Sequence, residues 1–104
     1  MKVVALFAVV ALAGGGAATP KLRAVDLDPL TLNGSGFRAN ERVRLLVAAP
    51  PVVKSRLVRA GARGRFRVAF AVKVGRCDSA VVQAIGLRGS RATFQHDTLD
   101  CAAP

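Results

Sequence analysis

The 104-residue chain predicts an all-β domain, a small antiparallel β-sandwich of seven strands. Three observations carry that expectation. Short runs of β-branched and apolar residues recur at fairly even intervals, punctuated by Gly and Pro. Residues 65–72 alternate strictly, with Phe66, Val68 and Phe70 on one side and Arg65, Arg67 and Ala69 on the other. Such alternation belongs to a strand with one buried and one wet face. After the N-terminal leader, no window repeats its apolar residues at the 3.6-residue period of an amphipathic helix.

Residues 1–18 read as a secretory signal peptide. Lys2 supplies the positive start, residues 3–13 are an unbroken apolar run, and Gly14-Gly15-Gly16-Ala17-Ala18 provides the small residues a signal peptidase requires. The apolar run is about half the ~20 residues of a spanning helix. Cleavage is expected near Ala18, with an uncleaved anchor as the alternative. The expected location is secreted or associated with the cell envelope, and residues 19–104 form the domain. A domain of this size buries only about 60–65% of its unfolded surface, so its stability margin is thin.

The first strand spans residues 21–27 and stops at Asp28-Pro29. Residues 30–34 form the second, and Ser35-Gly36 bends the chain because glycine tolerates positive φ. Phe37 is the expected core anchor at that bend. Residues 38–41 make a polar turn in which Glu41 is expected to pair with a nearby Arg. The third strand, 42–48, puts Val43, Leu45 and Val47 on one face and Arg42 and Arg44 on the other. Pro50-Pro51 ends it.

In the fourth strand, 52–59, Val53 and Leu57 are expected to point inward and Lys54 and Arg56 outward. Ala60-Gly61-Ala62-Arg63-Gly64 turns the chain into the alternating fifth strand, 65–72. A loop with Cys77 follows, then a sixth strand at 80–87, a turn at Arg88-Gly89-Ser90, and a seventh at 91–99.

Cys77 and Cys101 lie equally far from Gly89 in sequence. Residues equidistant from a hairpin turn face each other, so a Cys77–Cys101 disulfide would clip the open end of the last hairpin. A loop of this length contributes about 3 kcal/mol by chain entropy, and an exported protein can form it. Two thiols with a single His make a poor metal set, and no C-x-x-C is present for redox work.

Catalytic chemistry finds little footing. His96 lies near Asp97 and Asp100, but Ser35, Ser55, Ser79 and Ser90 occupy no nucleophile elbow. Asp26 and Asp28 are a thin start for calcium, which takes six to eight oxygens. Gly34-x-Gly36 lacks the third glycine and the helix of a dinucleotide loop. The expectation is a non-enzyme without catalytic residues, cofactor or metal.

Charge is the feature with functional reach. The net charge is +10, and Arg, Ala, Gly and Val together also fit the usage of a GC-rich genome. Arg42, Arg44, Lys54, Arg56, Arg65 and Arg67 are all expected at outward positions of strands three to five. If those strands share a sheet, they form one electropositive face that attracts anions. For an exported protein the partners are anionic cell-wall polymers, lipid headgroups, acidic polysaccharide or extracellular DNA. Without Trp or Tyr, nucleic acid and sugar lose weight, since both commonly stack on aromatics. The other readings are a solvated face with no partner, a protein partner at a sheet edge, and a small-molecule carrier.

The Asn33-Gly34-Ser35-Gly36-Phe37 turn, Glu41-Arg42-Val43, Gly64-Arg65-Phe66 and the closing Ala84-x-Gly86-x-x-Gly89-Ser90-Arg91-Ala92 together resemble bacterial immunoglobulin-like domains. The likeness is to small, exported, single-domain forms of the actinobacterial type, and more distantly to the neocarzinostatin-type fold. It covers most of residues 22–99 and implies a seven-stranded immunoglobulin-like sandwich with Greek-key connections. Neocarzinostatin-type proteins usually carry two disulfides and a ligand cleft. This chain has one cysteine pair, so chromophore binding does not carry over.

Overall fold

Alternation of side chains organises the molecule. The computed structural model describes residues 19–97. Seven strands follow in order: β1 (Lys21–Leu27), β2 (Leu30–Ser35), β3 (Arg42–Ala49), β4 (Val52–Arg59), β5 (Phe66–Ala69), β6 (Ala80–Gly86) and β7 (Arg91–His96). All pairings are antiparallel. β1-β2-β5 form one sheet and β4-β3-β6-β7 the other. The expected signal peptide, Cys101 and residues 98–99 of the expected seventh strand lie outside the described residues; β7 ends at His96, before Asp97.

The two sheets share one apolar core, a sandwich-like arrangement. Leu22, Leu30, Leu32 and Val68 enter it from the first sheet, and Val43, Leu45, Val47, Val82 and Ala84 from the second. β3 shows why: its burial alternates without a break, as the sequence pattern requires of a central strand covered on one face. Phe37 is buried at the bend and packs against Phe66 with ring centroids 5.1 Å apart. Gly34 is required beneath that pair, because a Cβ there would strike the Phe66 ring.

β5 and β4 depart furthest from expectation. β5 ends at Ala69, not at residue 72. Beyond it the backbone still follows β2, through Phe70 N–H to Leu30 O and Leu30 N–H to Val72 O, but then tightens. Val72 N–H bonds Phe70 O only two residues back, and Val74 N–H reaches Leu27 O. Phe70, Val72 and Val74 stay buried throughout.

β4 has the opposite facing from that expected. Its ladder sets Val58 beside Val43, Arg56 beside Leu45 and Lys54 beside Val47. Arg56 and Lys54 therefore sit on the core side, and Val53 and Leu57 on the outer side, 79% and 49% exposed. β4 is the edge of a four-stranded sheet facing a three-stranded one, and its core side is left largely uncovered. Long cationic side chains suit such a position, with an apolar stem on the core and a polar head in water. The Arg56 guanidinium donates to Ala69 O at 2.9 Å and lies 5.0 Å from the Phe70 ring centre, bridging the two sheets.

Candidate functional site

The six expected basic residues do not share one face. Arg42 and Arg44 project from the outer face of the four-stranded sheet, Lys54 and Arg56 line the core side of its edge, and Arg65 and Arg67 belong to the other sheet. The condition that strands three to five share a sheet fails, because β5 pairs with β2.

Exposed cations without exposed carboxylates instead gather at one end of the described residues. One end holds the β2–β3, β4–β5 and β6–β7 turns and the start of β1. Lys21, Arg38, Arg42, Arg59, Arg63, Arg65, Arg88 and Arg91 crowd it, all exposed. Arginine-lined depressions ring this end. One runs over Lys21, Ser35, Arg38, Arg63 and Arg65, a second over Arg38, Arg88 and Arg91, and a third over Arg42, Arg59 and Arg88.

The exposed carboxylates of the described residues, Asp26, Asp28, Asp78 and Asp97, lie toward the opposite end. There Asp28 meets Lys73 at 3.9 Å, Asp26 Oδ1 accepts Asp28 N–H, and Asp78 accepts Gly75 N–H. His96 contacts the Asp78 carbonyl at 2.8 Å through Nδ1, so it ties β7 to the loop before β6.

Glu41 is the one acid of the arginine-rich end among the described residues, and it is buried. It pairs with no arginine side chain, contrary to expectation. Oε1 accepts the Ser90 hydroxyl at 2.7 Å and Arg38 N–H at 3.0 Å, while Oε2 accepts Arg88 N–H at 2.9 Å. Burial pushes its pKa up, but these hydrogen bonds outweigh burial and hold it below the usual 4.5. Gly86 leaves the space, since a Cβ there would meet Oε2. A buried carboxylate thus joins the turns that carry Arg38 and Arg88 while offering no negative charge to solvent.

Sequence reasoning missed Arg38, Arg59, Arg63, Arg88 and Arg91 of the arginine-rich end, and it also missed Lys21 and Arg23. The register Lys21↔Ser35 and Arg23↔Asn33 puts both on the outer face of the three-stranded sheet, next to Arg67, whose Nε donates to Asn33 Oδ1 at 3.1 Å. Strand parity could have found them, because Leu22 between them is buried.

Cys77 lies in the loop before β6; its expected partner Cys101 is outside the described residues. No protein-family model, no curated protein and no solved structure matches the chain.

Proposed function

We propose that this chain is an exported, non-catalytic immunoglobulin-like module that holds to anionic polymers or lipid headgroups of the cell envelope through its arginine-rich end. The observation that carries the reading is an uneven distribution of charge: among the described residues one end bears many exposed cations and no exposed carboxylate, while the exposed carboxylates lie toward the other end beside Lys73 and Arg76. A molecule so polarised is steered with its cationic end toward an anionic surface. Arginine suits that contact because its planar fork matches phosphate and carboxylate oxygens two at a time.

The strand order supports the immunoglobulin-like part. Three strands β1-β2-β5 against four strands β4-β3-β6-β7 correspond to an immunoglobulin-type arrangement whose fourth strand has moved to the second sheet. Export rests on the leader, and a Cys77–Cys101 disulfide accompanies it.

Retention on vesicles containing anionic lipid, and on isolated cell walls, tests this reading. Binding at low salt that disappears by about 0.5 M, where screening acts within a few ångströms, supports it. Equal retention on neutral and anionic surfaces, or none at low salt, contradicts it.

A protein partner at a sheet edge is the second reading. β4 is an edge strand, and Leu46, Val53 and Leu57 are exposed beside it. Exposed edges with apolar side chains are strand-pairing sites unless charge guards them. One protein recovered specifically from the secreted fraction, and lost in a Val53→Lys variant, would favour this reading.

A further inference from the structure

The outer face of the three-stranded sheet places four cations at the corners of a small rectangle. Asn33 is paired with Arg23 on one side and with Arg67 on the other. Ser35 is paired with Lys21, and Arg65, one residue before β5, continues the ladder on its far side. Strand geometry sets the corners about 10 Å apart across the sheet and about 7 Å along it. Arg23, Asn33, Ser35, Arg65 and Arg67 line one shallow depression, and Lys21, Ser35 and Arg65 share the adjoining one.

The rectangle is partly organised in advance. Arg67 is fixed by its bond to Asn33 Oδ1. With that oxygen occupied, Asn33 presents its amide N–H groups as donors at the centre of its row. The next row on this face is Asp26–Thr31–Ala69, so a carboxylate borders the rectangle on the side away from the arginine-rich end.

We infer that this rectangle binds two phosphate groups of one chain, one at each row. The inference rests on the anionic-envelope reading and names the ligand class for one part of that surface. Phosphate fits better than carboxylate because an arginine fork occupies two oxygens. A carboxylate then has no third oxygen for the central Asn33 or Ser35, whereas a phosphate does. Two rows also favour a chain over a single ion, since the second contact becomes intramolecular.

Titration calorimetry at low salt with orthophosphate, tripolyphosphate and an oligoglutamate of matched charge tests the assignment. Tripolyphosphate should bind at least about tenfold tighter than orthophosphate and tighter than oligoglutamate. Arg23→Gln with Arg67→Gln should abolish that preference, and Arg67→Lys alone should weaken it by removing the fork. Lys54→Gln with Lys73→Gln removes equal charge away from the arginine-rich end and should leave tripolyphosphate binding within about twofold. Melting curves establish that each variant is folded. Equal losses from both double variants, or no preference for tripolyphosphate, would overturn the site. If the protein is still held by anionic vesicles in that case, the site fails and the envelope reading stands. If it binds neither, both fail.

Discussion

The Glu41 carboxylate accepts the Ser90 hydroxyl at 2.7 Å from forty-nine residues away, closing the β2–β3 turn onto the β6–β7 turn around one buried anion. A second contact from Ser90, its N–H to Oε2 at 3.4 Å, reinforces the joint. The arrangement gives the arginine-rich end a fixed shape at no loss of its exposed positive charge.

Neutralising that anion should loosen the joint. Glu41→Gln keeps the volume but replaces charge-assisted bonds with neutral ones, and should cost about 2 kcal/mol. Glu41→Ala should cost more, because the Arg38 and Arg88 N–H groups and the Ser90 hydroxyl lose their acceptor. Urea unfolding of the three proteins measures both values.

Acid should have a related effect. Glu41 is more acidic folded than unfolded, so the folded protein releases its proton more readily. Its contribution is fully present above the unfolded value of about 4.5 and is lost as pH falls through the lower folded value. Stability should therefore fall with acidification below about pH 4.5, and Glu41→Gln should flatten that part of the profile. Thermal melts between neutral pH and pH 2.5 show the slope.

Gly34 should tolerate no side chain while Phe66 stays in place, because the ring occupies the space of a Cβ. Gly34→Ala is expected to cost about 1–3 kcal/mol by overpacking. Phe66→Leu in the same chain should recover part of the loss, since it removes the ring that clashes. Chemical denaturation of the single and double variants reads this coupling.

Arg56 should matter to stability more than to anion binding. Its guanidinium bonds Ala69 O and lies against the Phe70 ring. Arg56→Ala should lower stability by about 1 kcal/mol, and Arg56→Lys should not restore it, because an ammonium lacks the flat fork. Retention on anionic vesicles should change little in either variant.

These sites also mark where sequence stops being legible. The strands were readable because alternation along β3 and β6 directly encodes one covered face. The Phe37 bend was readable because Gly36, at φ +78°, marks a turn. The facing of β4 was not readable. Val53 and Leu57 are apolar, yet the three-stranded sheet leaves the core side of that edge largely uncovered, so apolar character carries no information about direction there. The basic residues were visible, but their grouping depends on strand partners. The jump from β4 to β5 crosses between sheets, and this separates Arg65 and Arg67 from Arg42 and Arg44. Glu41 was misread for a related reason: Ser90, its strongest partner, arrives from a distant hairpin.

The central claim is that anions meet the end bearing the β2–β3, β4–β5 and β6–β7 turns. The most direct measurement is amide chemical-shift mapping of the labelled protein at low salt while anionic lipid or polyphosphate is added. Perturbations are expected at residues 36–42, 60–67 and 87–91 and along the first residues of β1, reversed by added salt. Perturbations centred on the opposite end, around Asp28, Lys73 and Asp78, or the absence of any change at low salt, would contradict it.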